Sequence, residues 1–119
     1  MFVLNSHQRY FLYREATDMR KSFNGLSGLV RDAMGSDPLS GDVFVFINRR
    51  RDRMKLLVWD RSGFVLYYKC LERGTFELPQ VSAQTTSIRL SWEKLVLIMA
   101  GVRLNSVQRR KRFFLSAHS

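Results

Sequence analysis

The densest group of potential phosphate ligands in this sequence is a cationic run at the centre of the chain. Five cations lie within seven positions: Arg49, Arg50, Arg51, Arg53 and Lys55. Guanidinium groups donate hydrogen bonds in a planar fork that matches phosphate oxygens, so such a run suits contacts with a nucleic-acid backbone. The alternative is that these side chains only discourage sheet pairing and maintain solubility. Since Asp52 is the one acidic residue among them, the run keeps a local excess of four charges.

The whole chain is strongly basic, with 20 Lys and Arg against 10 Asp and Glu in 119 residues, a formal charge of +10. Nucleic acid is the commonest partner that such an excess implies, although charge does not distinguish DNA from RNA. A second cationic run lies at residues 109–112, and three further cations accompany the motifs described below. The nucleic-acid-binding candidates are Arg20, Lys21, Arg49, Arg50, Arg51, Arg53, Lys55, Arg73, Arg109, Arg110, Lys111 and Arg112.

Catalytic motifs are absent from the sequence: there is no GxGxxG, no Walker phosphate loop and no HExxH. His7 and His118 lie near opposite termini and Cys70 is the only cysteine, so we expect neither a metal nor another cofactor. A small nuclease would need converging carboxylates. The acidic residues that could meet in the fold are Asp18, Asp60 and Glu72. Pairing with adjacent arginines and capping explain them more simply, so we predict that the protein is not an enzyme.

Hydrophobic patterning predicts the elements that must position these cations. Apolar runs at 43–47, 55–59 and 64–71 predict strands joined by short turns, which makes residues 48–53 a hairpin end. Residues 9–14 predict a further strand. Apolar residues at helical spacing predict a helix over 18–34 with Thr17 as its N-cap and Met19 and Phe23 in the core. A second helix is predicted over 91–101, capped by Ser91, with a loop over 80–87.

These elements predict an α+β fold: a single compact domain with an antiparallel sheet of four to five strands and two packed helices. A mostly parallel sheet is disfavoured because residues 43–78 leave no room for crossover helices. We expect an accessory domain over 1–104 and a basic C-terminal tail over 105–119, whose order and role stay open. No apolar run approaches the roughly 20 residues needed to cross a bilayer. Together with the single cysteine, this predicts a cytoplasmic protein that does not contact a membrane.

Several motifs occur in a fixed order along the chain. They are Thr17-Asp18-Met19-Arg20-Lys21, Phe44-Val45-Phe46, Trp59-Asp60, Gly63, Leu71-Glu72-Arg73-Gly74, Phe76 and Pro79. In this order, over residues 8–104, the chain resembles the small TnpB-type accessory protein encoded by the second open reading frame of insertion-sequence-66 transposable elements. Cys70 departs from the pattern, since a basic residue is expected there.

The resemblance implies an accessory role in DNA transposition, alongside the element's transposase and another small accessory protein. It implies no particular biochemical activity. From the charge, we hypothesise a non-catalytic DNA-binding factor that contacts the element ends or binds DNA nonspecifically. The alternative is a protein–protein adaptor that docks on the transposase and whose charge faces acidic surfaces of that partner.

Overall fold

A five-stranded sheet between two helices makes up the described part of the chain, residues 4–80 and 84–101 of a computed structural model. The elements are β1 (Tyr10–Tyr13), α1 (Phe23–Asp32), β2 (Val43–Ile47), β3 (Arg53–Asp60), β4 (Gly63–Cys70), β5 (Ser87–Leu90) and α2 (Trp92–Met99). The strand order is β4-β3-β2-β1-β5. The predicted α+β domain is confirmed, as are the predicted strands that correspond to β1, β2, β3 and β4 and the hairpin between β2 and β3.

The sheet is antiparallel at every junction except one. β1 and β2 run parallel, with Tyr10 opposite Val43 and Leu12 opposite Val45, and α1 lies in the connection between them. A parallel pair needs a crossover of a dozen or more residues, and the segment between β1 and β2, which contains α1, supplies one. The sequence left no room for crossover helices within residues 43–78, and the structure has none there, but the parallel β1–β2 pair was not predicted.

Strand β5 was not predicted. Its four residues pair antiparallel with β1, placing Leu12 opposite Ile88 and Tyr10 opposite Leu90. Only two of the four side chains are apolar, so the segment is too short for alternation to stand out from the polar residues before it. Its strand character depends on the partner strand: the backbone N–H of Arg14 also donates to the carbonyl of Thr86 at 3.0 Å.

The sheet separates two hydrophobic cores, and β2 contributes to both. Its odd-numbered side chains pack on one face and its even-numbered phenylalanines on the other, so all five residues are buried. α1 covers the phenylalanine face with Leu26 and Val30. α2 covers the opposite face with Leu95 and Ile98. The two helices therefore lie on opposite sides of the sheet.

Helix α1 begins at Phe23 and not at residue 18 as predicted, and its N-cap position is Ser22 in place of Thr17. The Asp18 carboxylate accepts the backbone N–H of Arg20 at 2.9 Å, and the Asp18 carbonyl accepts that of Lys21 at 3.1 Å. Such local bonds offer the backbone an alternative to the helix. Thr17 instead donates its N–H to the carbonyl of Ile47 at 2.9 Å and is buried. Residues 17–21 thus form a turn, which we call the TDMRK turn.

The altered helix start changes which side chains are buried. Phe23 was predicted to lie in the core, but it is 42% exposed. Met19 packs against the α1-side core while remaining partly accessible. Helix α2 is capped as predicted, since the Ser91 side chain accepts the N–H of Lys94. On that helix Val96 is also 42% exposed.

The helix assignment can be tested by comparing two truncations on α1. Leu26→Ala removes a fully buried side chain and should lower the free energy of unfolding by about 2–5 kcal/mol. Phe23→Ala removes a half-exposed ring and should cost about 1 kcal/mol or less. Urea unfolding curves of the two variants give both values, and a larger loss for Phe23→Ala than for Leu26→Ala would contradict the assigned helix.

Candidate nucleic-acid interface

The hairpin between β2 and β3, which we call the arginine hairpin (residues 48–53), is fastened by its own polar side chains. The Asn48 amide donates to the Asp52 carboxylate at 2.7 Å. The Asn48 side-chain oxygen accepts the backbone N–H groups of Asp52 at 3.1 Å and Arg53 at 3.0 Å. Asp52 is therefore engaged inside the loop and forms no salt bridge with any described arginine.

A neighbouring segment also supports the arginine hairpin. Arg51 has a φ of 60°, a left-handed conformation that costs energy for a residue with a side chain. Its carbonyl accepts the N–H of buried Phe76 at 2.6 Å, and the carbonyl of Asp52 accepts that of Leu71 at 2.8 Å. These two bonds hold the loop and place the turn that carries Arg73 beside it.

Three guanidinium groups of the hairpin face solvent without internal partners. The side chains of Arg49, Arg50 and Arg51 are exposed, and none makes a hydrogen bond or salt bridge within the described residues. Arg53 is also exposed, but it donates to the hydroxyl of Tyr68 at 3.3 Å. Arg73, on the adjacent turn, is exposed as well. The predicted cluster is thus available to an external anion, apart from Lys55.

Lys55 corrects the sequence-based expectation. It was grouped with the exposed cations, but it is only 6% exposed. Its ammonium donates to the carbonyls of Met19 at 2.7 Å and Lys21 at 2.8 Å, and it lies 4.8 Å from the ring centroid of Tyr68. A buried charge requires such partners. Strand alternation explains the position, because Lys55 lies on the same face of β3 as buried Leu57, beneath the TDMRK turn.

The TDMRK turn contributes its own cations. The Arg20 guanidinium pairs with the Asp18 carboxylate, with 2.7 Å between Nη2 and Oδ2. The hydrogen bonds that Arg20 donates, from its side chain first and its backbone second, lower the pKa of Asp18 to about 2. The carboxylate therefore stays ionised and neutralises part of the Arg20 charge. Lys21 is exposed, while its carbonyl binds Lys55.

A cleft of about 490 Å³ separates the TDMRK turn from the arginine hairpin. Its lining residues are Thr17, Asp18, Met19, Arg20, Asn48, Arg49, Arg50, Asp52, Arg53 and Tyr68. The structure thus brings Arg20 to the same site as three of the hairpin arginines, although they are about thirty residues apart in sequence. Arg51, Arg73 and Lys21 are not part of the lining.

Some site residues could not be assigned from sequence patterns, and others lie outside the described residues. Asn48 was missed as the residue that fastens the hairpin; an Asn at a strand end with Asp four positions later was the available signal. Thr17 was assigned to a helix cap and not to the cleft. The tail cations Arg109, Arg110, Lys111 and Arg112 lie outside the described residues, so their binding role stays a prediction.

Comparison with known proteins shows which family this chain belongs to. A family model described as IS66 Orf2 like protein matches residues 8–109. The chain belongs to this family. Two Sinorhizobium fredii proteins are similar to it along most of their length: uncharacterized protein y4jC, 37% identical over 102 residues, 86% of each chain, and uncharacterized protein y4hO, 35% identical over 102 residues, 86% of this chain and 87% of the relative. No solved structure matches the chain.

Membership in the IS66 Orf2-like family implies an accessory role in transposition and confirms the resemblance inferred from the motifs. The match continues past residue 104 and includes Arg109, the first cation of the tail run. Within residues 4–80 and 84–101, no group of His, Cys, Asp and Glu side chains could hold a metal ion. In the same part of the chain, no helix is long and apolar enough to cross a membrane.

The structural role of Lys55 can be tested by removing its charge. Lys55→Met keeps most of the side-chain volume but leaves the carbonyls of Met19 and Lys21 without their donor, so the free energy of unfolding should fall by about 2 kcal/mol. Lys69→Met, on the neighbouring strand and exposed, is the matched control and should change stability by about 0.5 kcal/mol or less. Equal stability of the two variants in urea would show that Lys55 does not hold the turn.

Proposed function

We propose that this protein is a non-catalytic DNA-binding factor for transposition that contacts phosphates through the arginine hairpin. One observation carries the proposal: Arg49, Arg50 and Arg51 are exposed and lack internal partners within the described residues, on a loop whose backbone is held in place. A phosphate can bind these guanidinium groups without displacing an existing salt bridge. The loop conformation is already set, so binding orders side chains and not the backbone.

The surroundings of the arginine hairpin support the same role. Asp52 is held by the Asn48 amide and Asp18 by Arg20, so both carboxylates that line the cleft are already engaged. The turn beside the hairpin adds Arg73 but also carries exposed Glu72. Contacts of this kind recognise the DNA backbone and not its sequence. We therefore expect the protein alone to bind DNA nonspecifically, with selection of element ends left to the transposase and the other accessory protein.

A protein–protein adaptor that docks on the element's transposase is the second candidate function. The observation in its favour is that Phe23, Leu39 and Val96 are large apolar side chains with exposures of 42%, 53% and 42%. Exposed apolar residues occur singly on many monomers, so this signal is weaker than the unpaired arginines. Binding to purified transposase in the absence of DNA would favour the adaptor.

A charge-matched pair of variants tests the DNA-binding proposal. The hairpin variant carries Arg49→Ala, Arg50→Ala and Arg51→Gly, the glycine suiting the positive φ at that position. The control carries Arg31→Ala, Arg89→Ala and Lys94→Ala, three exposed cations on α1, β5 and α2. Both variants have three fewer positive charges than the parent protein. Affinity for duplex DNA is measured by fluorescence anisotropy over a series of salt concentrations.

The hairpin variant should bind more weakly, and the slope of log K against log salt concentration should flatten by roughly 0.9 for each phosphate that the variant no longer neutralises. The control variant should retain most of the parent slope. Melting curves confirm that both variants are folded. If the two variants bind equally weakly, the overall charge and not the hairpin accounts for binding; if both bind as tightly as the parent, the proposal is wrong.

A further inference from the structure

The cleft beside the arginine hairpin has a size and a lining that contacts with a duplex backbone do not require. Its volume of about 490 Å³ falls within the range of roughly 300–1,000 Å³ that is typical of small-ligand pockets. Four guanidinium groups and two carboxylates line it, so the cleft keeps an excess of two positive charges. The cations are Arg20, Arg49, Arg50 and Arg53. This composition suits a small anion-bearing group better than an apolar ligand.

Tyr68 adds an aromatic surface to the same cleft. It lies on the edge strand β4 and is 51% exposed, although large aromatic side chains are usually covered. Arg53 donates to its hydroxyl, and the Lys55 ammonium lies 4.8 Å from its ring centroid. These two contacts orient the ring before any ligand arrives. Oriented, partly exposed aromatic rings next to cations are the platforms on which single-stranded nucleic acids stack their bases.

We propose that the cleft binds an unpaired nucleotide of single-stranded DNA, with its phosphate at Arg20 and Arg53 and its base stacked on Tyr68. This inference rests on the proposed DNA-binding function and extends it to a structural preference. A base can stack on Tyr68 only when it is not paired in a duplex. The arginine hairpin therefore binds the backbone of either form, whereas the cleft distinguishes single strands from duplexes.

The experiment compares a fluorescent oligothymidylate with a duplex of the same length, both titrated at one salt concentration. Tyr68→Ala should weaken single-strand binding by roughly tenfold, the usual effect of removing a stacking ring, and leave duplex binding within twofold. Tyr68→Trp keeps a stacking surface and should restore single-strand affinity. Phe23→Ala, which removes a comparably exposed aromatic ring outside the cleft lining, is the control and should change neither affinity.

Unchanged single-strand affinity in Tyr68→Ala overturns the proposal, as does an equal reduction of single-strand and duplex affinity in that variant.

Two further arms complete the test. In the first, free thymidine monophosphate competes with the fluorescent oligothymidylate. Displacement of the oligothymidylate indicates a site that a lone nucleotide can occupy, and no displacement indicates a site that requires a nucleotide within a strand. The outcome for the cleft is also separable from that of the hairpin. Loss of salt-dependent duplex binding in the hairpin variant tests the proposed function, whereas the Tyr68 variants keep the three free arginines and test the cleft alone.

Discussion

The buried ammonium of Lys55 is the interaction on which the arrangement of this site depends. A cation with 6% exposure must be solvated by the protein, and the carbonyls of Met19 and Lys21 provide that solvation. Because those carbonyls belong to the TDMRK turn, the charge ties this turn to β3. The same strand begins at Arg53, the last residue of the arginine hairpin. One buried lysine therefore sets the position of the turn relative to the hairpin and creates the cleft between them.

The cations of the site have three distinct roles because their electrostatic surroundings differ. Lys55 is buried and structural, and Arg20 is paired with Asp18. Arg49, Arg50 and Arg51 are exposed without partners in the described part of the chain. Only the last group has every guanidinium donor available to an external polyanion. A count of charges in the sequence does not distinguish these three groups. The fold shows which cations hold the site together and which are exposed on its surface.

Much of the fold follows from local patterns in the sequence. The apolar run Val43–Ile47 predicted a strand, and Ser91 predicted the start of α2, because these signals are contained in a few neighbouring residues. The start of α1 was mispredicted because the Asp18 side chain accepts the backbone N–H of Arg20, and this local bond favours a turn where the pattern predicted the beginning of the helix. Strand β5 and the parallel β1–β2 pair depend on partners distant in sequence, which periodicity does not encode.

The candidate site was likewise predicted where its residues are adjacent in sequence and missed where they are distant. The arginine hairpin was predicted as a basic loop because its residues are adjacent, and the structure places it there. The cleft was not predicted, since it forms only when Thr17 bonds to Ile47 and Lys55 holds the turn above β3. Its residues come from two segments about thirty positions apart and from the edge strand β4.

The most direct test of the account is an NMR titration of the protein with a short single-stranded oligonucleotide. The account predicts that the largest changes in backbone and arginine side-chain signals occur in the arginine hairpin, the TDMRK turn and Tyr68. Signals of α2, which covers the opposite face of the sheet, should remain in place. Changes concentrated on α2, or no changes at oligonucleotide excess, would contradict the assignment of this surface to DNA.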